Sequence, residues 1–242
     1  MKKFFLALLI AMVPVAGFAA GPTGPLMDPR VDPNDKASLQ RGAKYFVNYC
    51  LGCHSAQYQR YNRLAADLDL PEDLVEQYLI LTDAQIGDTM ETAMDPVDAE
   101  RWFGVAPPDL TLTARLRGAD WVYTYLNSFY VDPSKASGWN NTLFPDVAMP
   151  HVLWTLQGTP EPAYEEHNGE IAIAGIQVEE GSGLLNQAEY QAVTRDITNF
   201  MAYIAEPIKA DRQSLGIKVI AFLLVFTILA YLLKKEYWKD VH

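Results

Sequence analysis

Apolar positions along this 242-residue chain fall into amphipathic stripes and unbroken runs, and each kind predicts a different element. Leu39, Ala43, Phe46 and Cys50 recur at spacings of four, three and four. That is the stripe of a helix starting near Lys36, with Asp35 or Ser38 placed to cap it. Tyr190, Val193, Ile197, Phe200, Met201 and Ile204 draw a second stripe over about 19 residues, ended by Pro207. Pro71 suits the first turn of a helix running to about Leu81, and Thr82-Asp83 is placed to cap another through about Met94. Between Gly118 and Tyr130, the residues Trp121, Val122, Tyr125, Leu126 and Phe129 make a helical face with aromatic bulk. Residues 21–34, rich in Pro, Gly and Asp, read as extended coil. Residues 131–170 are broken by Asp132-Pro133, Gly138, Pro145, Pro150 and Gly158 and read as mostly irregular. Ile171, Ile173, Ile176 and Val178 predict at most a small hairpin.

Two runs are almost wholly apolar, the second carrying one charge, Lys218, near its start. After Lys2-Lys3, an apolar stretch from Phe4 through Val15 gives way to Gly17-Phe18-Ala19-Ala20, the three regions of a secretory signal with removal near Ala19 or Ala20. Leu215–Leu233 is long enough to cross a bilayer core, at roughly 28 Å of helix. Lys234, Lys235 and Lys239 follow it, with Tyr237 and Trp238 at the interface, so the C-terminus is expected on the cytoplasmic side. The expected order is signal 1–20, an exported domain 21–210, a transmembrane helix 215–233 and a tail 234–242.

Charge sets the exported domain apart. Between the signal and the anchor stand 13 basic against 28 acidic residues, and from Leu64 to Glu100 there are eleven acidic residues and no Lys or Arg. Such a surface attracts a basic partner in a salt-dependent way, or serves only to keep an exported domain soluble. No nucleic-acid or phosphate-binding signal is visible, and no nucleophile–base pair stands out.

The chemistry concentrates in Cys50-Leu51-Gly52-Cys53-His54, which holds both cysteines of the chain and sets a histidine directly after the second. This is the attachment pattern of a covalent haem c, in which each thiol adds to one vinyl group and the adjacent imidazole lies beneath the iron. A redox dithiol has no need of His54, a zinc site lacks further cysteines, and a disulfide over this spacing closes a strained loop. Export agrees with haem attachment. A haem also gives a centre around which long loops become ordered, so the expected fold is mainly α, a cytochrome c-like haem domain with long loops plus one C-terminal transmembrane helix.

The sixth iron position has several candidates on chemistry alone. Met201 belongs to the apolar stripe of the last helix, and Met90 and Met94 stand four apart on the helix predicted there. His242 falls beyond the anchor, and His167 remains. Met149 stands in Pro145-Asp146-Val147-Ala148-Met149-Pro150, where proline stiffens the backbone beside the thioether; His151, two residues on, is its main rival.

Several segments, in order, resemble the cytochrome c1 family, the haem-bearing subunit of ubiquinol–cytochrome c oxidoreductase (the cytochrome bc1 complex, complex III) in its bacterial form. They are Arg41-Gly42-Ala43 before the cysteine motif, Ala106-Pro107-Pro108-Asp109-Leu110, Ala114-Arg115, Gly118 to Tyr123, Phe144-Pro145 to Met149-Pro150, and Phe200 to Pro207 ahead of the anchor. The resemblance implies one haem c with His54 and Met149 as axial ligands, Arg115 paired with a haem propionate, and a backbone carbonyl near Pro108 accepting the His54 ring N–H. It likewise implies a close crossing of the first and last helices at Gly42, near Phe200 or Tyr203. Two departures stand out: no glycine pair lies between Phe144-Pro145 and Ala148-Met149, and His151 replaces a second proline.

By that resemblance the chain takes electrons from a Rieske iron–sulfur protein and passes them to a cytochrome c. Cytochrome b is a further partner, in a dimeric complex of the bacterial inner membrane with the haem domain in the periplasm. It has no catalytic acid or base of its own, and enzyme activity belongs to the assembly. Two other readings are a stand-alone anchored monohaem cytochrome, and a haem sensor or peroxidase with an open sixth position.

Overall fold

A computed structural model describes residues 25–167 and 170–239. The signal segment 1–20 and His242 lie outside the described residues, as does the end of the tail. The elements are α1 (Lys36–Tyr49), β1 (Ala56–Arg60), α2 (Tyr61–Asp67), α3 (Glu72–Tyr78), β2 (Thr89–Met90), α4 (Pro96–Phe103), α5 (Thr113–Arg117), α6 (Ala119–Leu126), β3 (Phe129–Val131), β4 (Trp139–Asn141), α7 (Trp154–Gln157), β5 (Pro160–His167), β6 (Glu170–Val178), α8 (Gln187–Ala205) and α9 (Lys209–Tyr237). The fold is mainly helical, with three small antiparallel sheets among the described residues, β1-β2, β3-β4 and β5-β6.

Helices α1 and α8 form the centre of the core, because their stripes face each other. Phe46 and Phe200 meet with ring centroids 5.3 Å apart, and Leu39, Ala43, Tyr190, Ile197 and Ile204 are buried around them. Gly42 makes the crossing close: a Cβ placed there would lie 2.1 Å from the Asp196 carbonyl oxygen and 2.7 Å from the Phe200 Cβ. A polar cluster fixes the register of the two helices. Asp196 takes a two-pronged pair from Arg41 (2.6 and 2.9 Å) and a bond from the Ser38 hydroxyl (2.7 Å), which itself accepts from Asn199 Nδ2 (3.1 Å). Both helix starts are capped, the first by Asp35 as the sequence predicts. Asp35 accepts the Ser38 N–H, and Asn186 with Glu189 closes a reciprocal capping box.

Other segments depart from the pattern reading. The helix predicted from Thr82 to Met94 does not form; a turn at Gln85–Asp88 leads into β2, and Met90 pairs with Ala56 and is fully buried. Met90 and Met94 therefore share no helical face, and the acidic run lies instead on α2, α3, α4 and the irregular chain between them. The aromatic helix stops at Leu126, where Ser128 Oγ and Asn127 Nδ2 bond back to the carbonyls of Thr124 and Tyr123, and Phe129–Val131 becomes a strand paired with Trp139–Asn141. The region 131–170 is more ordered than its breakers imply. Strands β5 and β6 pair over eight residue couples from Pro160↔Val178 to His167↔Glu170. Pro160 and Pro162 hide that strand from a pattern search, yet the outer side of a two-stranded ribbon tolerates proline because no neighbour needs its N–H.

The last helix is longer than its apolar run. α9 extends ten residues past the 19 predicted, covering 29, is the one described helix long and apolar enough to cross a membrane, and has no buried residue.

Candidate functional site

The cysteine motif begins where α1 ends. The Cys50 N–H bonds to the Phe46 carbonyl (2.8 Å), and the Cys50 carbonyl then accepts the N–H groups of Cys53 (3.0 Å) and His54 (2.9 Å). This turn brings Cys53 and His54 back to the end of α1. Cys50 is buried, and burial pushes its thiol up to about 12; Cys53, half-buried, is also raised by desolvation. The two cysteines form no disulfide.

His54 is oriented from the far side by the Pro108 segment. Its Nδ1–H donates to the Pro108 carbonyl at 2.7 Å, which fixes the tautomer and leaves the Nε2 lone pair available to a metal. Burial outweighs that bond and the nearby Asp109, so the imidazole is held below its ordinary pKa and stays neutral. The Pro108 carbonyl is itself held in place: Leu110 N–H bonds to the Ser55 carbonyl (2.8 Å), and Asp109 accepts the N–H groups of Gln57 (2.8 Å) and Thr111 (2.9 Å). A cavity of about 150 Å³ opens here, lined by Cys53, Met94, Pro96, Ala106, Pro107 and Asp109 among others. Two thiols and a neutral imidazole with one free nitrogen, set at the end of an apolar core, are the donor set a covalent haem c requires.

Met149 is presented from a different part of the chain. It is half-buried, and its Sδ accepts the Tyr125 hydroxyl of α6 at 3.4 Å. Tyr125 and Trp121 pack against the same apolar cluster that contains Cys50 and Leu51. The loop before Met149 answers the missing glycines. Asp146 adopts φ 62°, a left-handed conformation that Asp tolerates better than most side chains, and its N–H is held by Asn140 Oδ1 at 2.9 Å. Asp146 also pairs with Lys135.

His151, the rival ligand, sits in an aromatic cage. Its ring stacks on Phe129 (4.9 Å, 9°), meets the edges of Trp139 (5.2 Å) and Tyr190 (6.4 Å), and donates from Nε2 to Gln157 Oε1 at 2.7 Å. Only 2 % of it is exposed, and burial pushes its pKa down to about 4. Nothing in the sequence around His151 announces this packing, since its partners lie on β3, β4 and α8.

Arg115 lies exposed on α5, the helix that leaves the Pro108 segment, and makes no ion pair among the described residues. Its neighbour Arg117 covers the Trp121 ring at 4.9 Å. Tyr125 escaped the sequence reading as a site residue because an apolar stripe explains it equally well.

Known proteins resemble this chain over most of its length. The family described as the Cytochrome C1 family matches residues 28–241. A cytochrome c1 of Allochromatium vinosum is 53% identical over the full length of both chains. A protein of Nitrosomonas europaea named ammonia monooxygenase gamma subunit is 47% identical over 98% of each. A cytochrome c1 of Rhodospirillum rubrum is 26% identical over 86% of this chain and 83% of its own. With that match across nearly its whole length, the chain belongs to the cytochrome c1 family, whose members are membrane-anchored and carry a covalent haem c.

Proposed function

We infer that this chain is the haem-bearing electron-transfer subunit of a ubiquinol–cytochrome c oxidoreductase, taking electrons from a Rieske iron–sulfur protein and passing them to a cytochrome c. The observation that carries the reading is the His54 ring, bonded at Nδ1 to the Pro108 carbonyl and open at Nε2, beside the two cysteines. Cys50 and Cys53 would attach the haem, and His54 and Met149 would ligate its iron. His151 is a poor ligand because its Nε2–H is already bonded and its ring is stacked against Phe129. Arg115 would face a haem propionate, a planar cation suited to a carboxylate. When bound, the haem supplies one-electron chemistry at its iron, and a thioether ligand favours the reduced state. The protein contributes a fixed imidazole tautomer, a presented sulfur and an apolar core that limits water.

The haem domain lies on the periplasmic side of the bacterial inner membrane, held by α9, whose last turn carries Lys234 and Lys235 as a cytoplasmic end does. Cytochrome b and the Rieske protein are neighbours in a dimeric complex. The name carried by the Nitrosomonas relative sets a second assembly against this one. Affinity purification of the C-terminally tagged chain in mild detergent separates the two. Stoichiometric b-type haem, a Rieske signal and quinol-driven reduction of cytochrome c support the inference. A lone c-haem protein, or co-purifying ammonia monooxygenase subunits, refutes it.

A further inference from the structure

The contact between Tyr125 and Met149 is held from three sides. Trp121 stacks on the Tyr125 ring with centroids 5.1 Å apart and planes 13° from parallel, and Phe129 meets the ring edge-on at 5.1 Å and 75°. Asn141 holds the backbone: its Nδ2 donates to the Tyr125 carbonyl at 2.9 Å, and its Oδ1 accepts the N–H groups of Leu143 (2.9 Å) and Phe144 (3.1 Å). One amide thus ties the helix that carries the hydroxyl to the loop that carries the sulfur. A phenol carries its proton at neutral pH, so the hydroxyl acts as the donor in this contact. Among the described residues its hydroxyl bonds to no other group, so the one proton it has to donate goes to a thioether, a weak acceptor.

We propose that Tyr125 is a positioning residue for Met149 that raises the reduction potential of the haem by sharing the sulfur's electron density. A thioether has two lone pairs; with one on the metal and the other on the hydroxyl proton, the sulfur is a weaker donor. Ferric iron loses more from that than ferrous iron does, so the reduced state is favoured, an effect of hydrogen bonding on a ligating atom. The proposal rests on Met149 being an axial ligand, as inferred above.

The test uses the full haem-loaded chain in detergent and the variant Tyr125→Phe, which keeps the ring and removes the hydroxyl. The thioether-to-ferric-iron absorption band is expected to persist with altered position. Equilibrium with a reference redox couple is expected to shift about three- to tenfold toward the oxidised protein, the range of one hydrogen bond. Imidazole is expected to displace Met149 less readily, because the sulfur binds ferric iron more strongly. A purely structural role predicts the opposite, a loosened loop and easier displacement. Trp121→Leu frees the ring but keeps the hydroxyl, and should move the equilibrium the same way by a smaller factor. An unchanged equilibrium in either variant, or easier displacement in Tyr125→Phe, overturns the proposal. A wild-type protein without the band overturns the assignment of Met149 itself, and the proposal with it.

Discussion

Replacing Gly42 by alanine tests the packing logic at its tightest point. On an isolated helix the change stabilises by about 1 kcal/mol, because alanine loses less backbone entropy. Here the new methyl would stand 2.1 Å from the Asp196 carbonyl oxygen, and ordinary contact requires more than 1 Å of further separation. The obstructing atom is backbone, so no rotamer change relieves it and α1 must move away from α8. Overpacking of this kind costs about 1–3 kcal/mol, and a bond between Ser38 and the Asp196 carboxylate, stretched from 2.7 Å, is worth about 1.5–3 kcal/mol. Set against the helix gain, the expected net loss is about 1.5–5 kcal/mol. Urea unfolding of the haem-loaded chain in detergent, followed by the Soret circular dichroism and the helical signal, reads it directly. A variant equal in stability to the parent, or more stable, would refute the argument that the helices are in backbone contact.

The left-handed Asp146 gives a contrast in sign: Asp146→Gly should be tolerated with the thioether band intact, whereas Asp146→Val should cost about 1–2 kcal/mol in urea unfolding, because a β-branched residue resists φ 62°. Among the candidate ligands, Met149→Ala should abolish the thioether-to-ferric-iron band. His151→Ala should keep the band and instead lower stability by about 2–4 kcal/mol through the cavity left among Phe129, Trp139 and Tyr190; loss of the band in His151→Ala would reverse the two roles. Burial raises the pKa of Tyr190 and Tyr203 in the folded protein, so the stability they contribute is complete below about pH 10, where unfolded tyrosine ionises, and is lost as pH climbs toward their folded values. The urea midpoint should therefore fall between about pH 10 and pH 11.5, less steeply in Tyr203→Phe, with a flat profile counting against the buried assignment.

Sequence alone determined the features whose physics is local. The Cys50-Leu51-Gly52-Cys53-His54 spacing states its chemistry within five residues, and the stripes of α1 and α8 with the cap at Asp35 follow from a 3.6-residue period and a nearby N–H donor. The apolar run inside α9 is read by length and hydropathy, which need no partner. Tertiary structure decided whatever depends on a distant segment. Thr89–Met90 became a strand because Ala56 and Arg60 were there to pair with it, overriding a weak helical pattern. Pro160–His167 found its ladder only in the strand that follows. The acceptor for His54 lies 54 residues away at Pro108, and the donor to Met149 lies 24 residues before it at Tyr125. His151 could be read as a ligand until Phe129, Trp139, Gln157 and Tyr190 closed around it. A residue's type says which bonds it is able to make; which of them it makes depends on the neighbours that folding brings to it, and for these residues most of those neighbours lie on other elements.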